Sequence, residues 1–351
     1  VTTSASHDFH QLVIGDAATA VRALTVALGE RLGLYAALAD SRPVTAAELA
    51  ERTGIREMYA REWLHAQVSG GYVETDPSGQ RFWLPAEHVP VLARPDSAVF
   101  AAPFFSALKA LYATEDGLAA AYREGGGVGW DQHDGSLDDG LGRFFLPGYR
   151  ANLVRHWIPA LKDVPERLDT GARVADVGCG VGYAVMLMAD AFPRSSFHGF
   201  DYSEEAIRQA RRVAADRRLP EKQVRFSTVA GDGFGAGPYD LITSFNVVHD
   251  VGDPEAMARH IRSQLADDGT WMIVEPNADP DVNNNAHPAG RLFMALSAVM
   301  CLPAAAADDG PRPLGNHAGE QTLEEIARQA GFSRWRRADA TPVSAVYQAR
   351  P

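Results

Sequence analysis

An α/β fold, with a parallel sheet covered by helices on both faces and a mainly helical N-terminal domain ahead of it, is what this sequence predicts. Three observations carry that expectation. From Gly171 onward, strand-like and helix-like runs alternate over 173–177, 182–192, 196–201, 203–217, 224–229, 239–246, 254–265 and 270–275, as strands joined by crossover helices do. The first strand runs into Gly178, Gly180 and Gly182 and then into the apolar run 183–192, so strand, glycine loop and helix follow without a break. Asp176, Asp201, Asp232, His249 and Glu275 all fall at strand ends, the edge where such sheets bind ligands.

The loop is built for a ligand. Glycines keep Cβ atoms out of a bound molecule's path, and the helix that follows offers unpaired N–H groups at its N-terminus. The nucleotide fingerprint GxGxxG fails here at one residue: its third glycine belongs at position 183, which is Tyr183, and the glycine comes early, at Gly182. Asp176, ahead of the loop, would attract a cationic amino-acid group and repel a pyrophosphate, so S-adenosylmethionine fits better than a dinucleotide. Asp201, about two dozen residues beyond the loop, is placed for ribose hydroxyls, a device dinucleotide enzymes share.

The whole chain bounds the remaining possibilities. Its 351 residues are ample for two domains, and a net charge of -12 makes the average surface repel nucleic acid and anionic membrane. The two cysteines, Cys179 and Cys301, cannot make a disulfide framework, and a reducing cytoplasm is the expected location. The N-terminal ten residues lack the basic start and apolar core of a signal peptide. The longest apolar stretch, 292–307, is expected to be interrupted by Pro303 and falls short of the roughly 20 residues of a membrane helix. Histidines and acids are scattered without close ligand spacing, so no metal site is expected.

In order, the expected domains are a winged-helix dimerisation domain over 1–95, a helical linker and pocket segment over 96–165, and a cofactor-binding domain over 166–351. Residues 11–40 are helical in pattern. Thr45 and Glu48 form a capping box for a helix that stops at Gly54, and a second helix over 56–69 ends at Gly70-Gly71. Strand, Asp-Pro-Ser-Gly turn and strand follow, which completes a winged helix. Between residues 41 and 90 the acids outnumber the bases seven to five, which argues against a DNA-binding regulator and for a dimerisation role.

In the linker, the glycine-rich GGGVGWDQHD places Trp130 and His133 where a pocket wall or a plain surface loop are equally open readings, and Phe145 and Tyr149 join them as candidate acceptor contacts. The insertion 277–315 covers the strand ends either as an apolar wall, through Met294 among others, or as a helix on the sheet edge. His317 is a further pocket candidate.

This order of strand ends resembles the class I S-adenosylmethionine-dependent methyltransferases, and the resemblance implies a Rossmann-like domain. In it the acid matching Asp232 binds the adenine amino group, while Tyr202 and Phe234, with Gly233 beside them, pack on the ring. The run NVVHDVGDPEAMARHIRSQLADDGTWMIVE resembles the small-molecule O-methyltransferases of plants and bacteria, whose HDW segment supplies a catalytic histidine. That makes His249 the base and Glu275 and Glu320 the acids that orient it. Val251 departs from the tryptophan usual there, and Glu320 also reads as an exposed helix-start acid. A resemblance along nearly the full chain, through REWLHAQVSGGYVE, GGGVGW, RFFLPGY, HDVGDP, HPAGRLFMALSAVMCLP and LGNHAGE, is to actinobacterial winged-helix methyltransferases, some labelled transcriptional regulators. Asn246 stands where that group commonly has an acid, which removes a negative charge near the sulfonium.

The resemblance implies methyl transfer to a small, largely apolar or aromatic acceptor such as a secondary metabolite, with S-adenosylhomocysteine as product and a homodimer as the working form. Oxygen is the favoured acceptor atom, because a neutral histidine near pH 7 suits a hydroxyl. Nitrogen and carbon stay open, since positioning alone suffices for them. A protein that binds the cofactor without methylating is the alternative class.

Overall fold

A computed structural model describes residues 4–229 and 233–351. It divides into two compact units, Val1–Lys109 with Asp139–Gly148, and Ala110–Asp138 with Tyr149–Pro351, so the segment 96–165 is shared between them.

The first unit opens on a helix, Ser4–Arg31, and a short second one, Leu34–Ala37. The sequence reads one helix over 11–40; Gly33, at φ 69°, breaks it because only glycine takes that left-handed turn without strain. The capping box forms in full: Thr45 N–H donates to Glu48, and Glu48 N–H donates to Thr45 Oγ1. Helices Ala46–Thr53 and Glu57–Ser69 follow, then two short antiparallel strands, β1 (Glu74–Thr75) and β2 (Phe82–Trp83). Asp76 Oδ1 accepts from the Gln80 and Arg81 N–H groups and so holds the turn between them. Leu34, Leu38, Leu49, Leu64 and Phe82 fill the core, with Tyr35 edge-on to Trp63 at 5.0 Å. This is the expected winged helix.

The second unit is built on seven strands. β3 (Arg173–Val177), β4 (Ser196–Asp201), β5 (Val224–Thr228), β6 (Tyr239–Phe245) and β7 (Leu265–Pro276) run parallel in the order β5-β4-β3-β6-β7. Two further strands, β8 (Arg334–Ala340) and β9 (Ser344–Arg350), extend that sheet antiparallel beyond β7, with β9 inside and β8 at the edge. Both are absent from the sequence expectation, and β7 starts five residues before the expected 270.

Neighbouring residues on the central strands face opposite cores. Leu241, Met272 and Val274 join one with Trp157, Val185 and Ile207; Ile242, Trp271 and Ile273 join the other with Met257, Ile261 and Ile326. Burial on both faces explains why these strands read as continuous apolar runs rather than as an alternation.

The apolar run after β7 corrects another expectation. Pro303 does not interrupt it: helix Pro288–Leu296, a π-turn Ser297–Cys301 and helix Leu302–Ala307 continue one another over 20 residues. Pro303 sits in the first turn of the last segment, where a missing N–H is least costly. This run and Ser4–Arg31 are long and apolar enough to cross a membrane, a test that core helices also pass.

Candidate active site

β3 ends in Asp176, buried and holding a hydrogen bond from Thr243 Oγ1 at 2.6 Å. Burial, partly offset by Thr243 and reinforced by Asp201, pushes its carboxyl up to about 7. The three loop glycines then serve different ends. A Cβ on Gly178 would lie 2.4 Å from Val247, and one on Gly182 2.5 Å from Phe226, so both are required by packing within the protein. At Gly180 a Cβ would meet nothing within 4 Å, and with φ at 52° its bare backbone faces open space that a ligand can approach. The fit of a cofactor to this loop rests on that position.

Asp201 ends β4 and anchors the same loop. Its Oδ2 accepts from Gly180 N–H at 2.8 Å and its Oδ1 from Ser203 N–H at 2.9 Å. Burial raises its carboxyl and these bonds pull it back. Tyr202 beside it is partly exposed, and its hydroxyl accepts from Trp130 N–H at 3.0 Å. Asp138 approaches from the linker, its carboxyl raised to about 7 by burial first and then by Asp201 and Glu205.

On the next strand, Asn246 adopts φ 57°, a left-handed conformation that asparagine tolerates better than most residues. Its Nδ2 donates to Tyr149 Oη at 3.4 Å, and the Tyr149 ring packs on Phe245 at 5.2 Å. Asp176 is near enough to help raise the phenol's pKa. Tyr149, expected as an acceptor contact, therefore sits beside Asp176 and Asn246.

After β6 the chain makes one tight turn, Val248–Asp250, that carries His249. Glu275, at the end of β7, organises this turn. Its Oε1 accepts from Val247 N–H at 3.1 Å and from Val248 N–H at 2.9 Å, and its Oε2 is hydrogen-bonded to His249 Nδ1. His249 and Glu275 are both 3 % exposed. Burial lowers the imidazole's pKa, but Asp250 and Glu275 outweigh it and hold it well above 6.5. Gly315 N–H donates to the His249 carbonyl at 3.2 Å and ties the end of the insertion to the turn. A recess of about 10 Å³, room for about one water, lies against His249, Glu275, Asn316 and Tyr347.

Several expectations need correction. The second carboxylate at the imidazole is Asp250, with Oδ1 3.1 Å from Nε2. Glu320 lies in the first turn of helix Gly319–Gln329, is 40 % exposed and pairs with Arg337 at 3.7 Å, because a neighbouring guanidinium on β8 holds it. Phe234 is core: it is 1 % exposed among Phe200, Tyr239 and His260, so its faces are already covered. Gly233 is exposed, and Asp232 lies outside the described residues.

Among the acceptor candidates, Phe145 lies in the first unit, against Phe144 at 5.3 Å. The remaining ones lie in the second unit. Trp130 opens a short turn, and His133 beyond it has a buried Nδ1 without a hydrogen bond and a pKa lowered by burial. Met294 is half-buried on helix Pro288–Leu296, and His317 also has an unpaired buried Nδ1. Asp138, Asp250 and Cys301 were not among the sequence candidates. The acid in HDVGDP, next to the histidine, was the one signal that pointed at Asp250.

A methyltransferase-domain family model matches residues 149–336, more than half the chain, and an Rv2258c-like winged HTH domain model matches 20–94. The chain belongs to the methyltransferase-domain family and carries the class I, S-adenosylmethionine-dependent fold behind a winged helix. Among curated proteins, trans-aconitate 2-methyltransferase of Variovorax paradoxus is 31% identical over 131 residues, 37% of this chain; the match spans 46% of that relative. Among solved structures, human N-acetylserotonin methyltransferase in complex with S-adenosylmethionine superposes with a TM-score of 0.70 at 17% identity, covering 99% of each chain. An O-methyltransferase from neocarzinostatin biosynthesis, in complex with S-adenosylmethionine and 2-hydroxy-5-methyl naphthoic acid, gives 0.62 at 17% identity, covering 94% of this chain and 96% of the other.

Proposed function

We infer that this protein transfers the methyl group of S-adenosylmethionine to a hydroxyl of a small, largely apolar or aromatic acceptor, with His249 as the base. The observation that carries this is the pinning of His249 Nδ1 by a Glu275 carboxylate, itself fixed by two backbone N–H groups. Nε2, which faces Asp250 Oδ1 at 3.1 Å, is then the nitrogen that takes the acceptor proton. In the reaction the acceptor oxygen forms a bond to the methyl carbon, the carbon–sulfur bond breaks, S-adenosylhomocysteine leaves, and the proton passes to Nε2. Since the imidazole's pKa is raised, only its deprotonated fraction acts as base.

For the cofactor, Asp176 takes the amino-acid end, Asp201 the ribose and Tyr202 a face of the adenine, with Asp232 the expected partner of the adenine amino group. The Gly180 backbone lies along the ligand. Asn246 and Tyr149 flank the methionine portion. Trp130, His133, Met294 and His317 are the acceptor contacts of this reading. The aromatic hydroxy acid in the neocarzinostatin enzyme's complex supports an aromatic acceptor.

Calorimetric titration tests the cofactor. S-adenosylmethionine and S-adenosylhomocysteine are expected to bind, NAD is not, and Asp201→Asn is expected to weaken the first two by tenfold or more. Asparagine is the informative replacement, because Asp201 also holds the loop through Gly180 and an alanine would confound loop collapse with lost ribose contacts. If neither sulfur compound binds, the methyltransferase reading fails.

The protein acts as a cytoplasmic homodimer in this reading, with residues 1–95 for dimerisation, 96–165 for the acceptor and 166–351 for the cofactor. Phe9, Val21 and Leu24 on helix Ser4–Arg31 are 66, 73 and 65% exposed, an apolar display that a second copy would cover. Light scattering is expected to give twice the chain's 37.9 kDa, and charged replacements at Val21 and Leu24 are expected to halve it. A monomeric wild type would end the dimer proposal. Of the five arginines between residues 41 and 90, Arg52, Arg61 and Arg81 each lie beside an acid, which lowers the positive charge available for DNA.

A further inference from the structure

Two residues beside His249, namely Asp250 and Cys301, complete a largely buried cluster with it. Cys301 closes the π-turn Ser297–Cys301, is 1 % exposed, and meets Asp250 and His249. Their three ligand atoms, an imidazole nitrogen, a carboxylate oxygen and Sγ, all lie within 4.8 Å of one another. Asp250 Oδ1, 3.1 Å from Nε2, is shut off from solvent and faces the imidazole without a well-aligned hydrogen bond. A buried oxygen left in that state is costly, and a cation at this point removes the cost. On the far side of the ring, Glu275 holds Nδ1, the carboxylate–histidine arrangement that aims the other nitrogen at a metal.

We propose that His249, Asp250 and Cys301 form a binding site for a thiophilic divalent cation, zinc above all, and that filling it shuts off methyl transfer. Nitrogen, sulfur and a single oxygen select zinc over magnesium or calcium, which prefer oxygen ligands throughout. A tetrahedral zinc with bonds of about 2.0–2.3 Å keeps its ligand atoms roughly 3.2–3.8 Å apart. The nitrogen–oxygen separation is already close to that range, and the widest separation needs to close by about an ångström. Binding releases the thiol proton, and any proton on Nε2, to solvent, with no change of oxidation state. The inhibitory half rests on the reading of His249 as the base, because the metal takes the same lone pair.

Cobalt(II) is the probe, titrated into chelator-treated full-length protein. One equivalent is expected to give the visible bands of tetrahedral cobalt and a near-ultraviolet thiolate charge-transfer band, both erased by zinc. Cys301→Ser is expected to lose the near-ultraviolet band, Cys179→Ser to keep it, and Asp250→Asn to weaken cobalt binding tenfold or more, with circular dichroism confirming each fold. If Cys301→Ser does not fold, Asp250→Asn and Cys179→Ser decide. A wild type without the thiolate band, or a band that survives Cys301→Ser, overturns the site. With an acceptor in hand, micromolar zinc is expected to inhibit wild type at least tenfold and a chelator to restore it, while Cys301→Ser resists. Activity indifferent to zinc in the presence of the cobalt signal overturns the inhibitory half. The cobalt readout needs no acceptor, so a failed methyltransferase reading leaves it intact.

Discussion

Replacing His249 by alanine is expected to lower methyl transfer to a hydroxyl acceptor by about 10²–10⁴-fold, the usual range for a positioned general base. S-adenosylmethionine affinity should stay within about threefold of wild type, since the imidazole's near neighbours are Glu275 and Asp250 rather than the residues assigned to the cofactor. The fold must be followed alongside, because the alanine leaves a Glu275 oxygen buried without its partner, at a cost of about 1–3 kcal/mol. Glu275→Gln separates chemistry from packing. Its amide oxygen can still accept from Val247 and Val248, but its NH2 group would donate to Nδ1 and drive the ring proton onto Nε2, where the acceptor's proton has to go. The glutamine variant should therefore fold, bind cofactor and lose most of its activity. If either variant methylates within about threefold of wild type, the barrier is lowered by positioning, and nitrogen or carbon becomes the favoured acceptor atom.

What the sequence revealed follows from how local each signal is. The glycine loop, the capping box at Thr45 and the strand ends at Asp176, Asp201 and Glu275 were legible, because each is written within a few consecutive residues. β9 was not. It lies between two strands, yet its sequence SAVYQAR ends in polar residues, because Gln348 bonds both Lys162 backbone groups and Arg350 pairs with Asp163. Those partners lie nearly two hundred residues upstream, and no local pattern announces them.

The cluster at His249 was half legible for the same reason. Its Asp250 is the next residue, but Cys301 arrives through a π-turn, whose extra residue rotates the side chains that follow and defeats a helical count. Phe234 and Glu320 mislead in the opposite sense. A family motif marks a position, while Phe200, Tyr239 and His260 around one and Arg337 beside the other decide what that side chain does. Even within the glycine motif, three identical residues hide two roles, since Gly178 and Gly182 make room for Val247 and Phe226 and Gly180 alone faces open space.

Asp176 makes the remaining large prediction, and its sign follows from burial. With its carboxyl raised to about 7 in the free protein, much of it is protonated at neutral pH. A cationic amino group needs the carboxylate, so below pH 7 each binding event must first expel a proton. S-adenosylmethionine affinity should then fall about 20–30-fold between pH 7.5 and 5.5. Asp176→Asn should bind weakly at both values and flatten that profile, whereas Asp138→Asn, whose carboxyl is also raised to about 7, reports any share from the ribose side. Stability should move the other way. A folded pKa above the unfolded one means the native state holds a proton the unfolded chain has lost, so the group's contribution rises as pH drops from about 7 towards 4 and is lost above 7. Ligand-free Asp176→Asn should accordingly melt higher than wild type at pH 8, the difference shrinking by pH 5, while binding the cofactor worse. Such a trade is characteristic of a buried charge kept for a ligand rather than for the fold. Cofactor affinity that does not change between pH 5.5 and 7.5, together with an asparagine variant that binds like wild type, would remove Asp176 from the cofactor site and leave it a structural partner of Thr243.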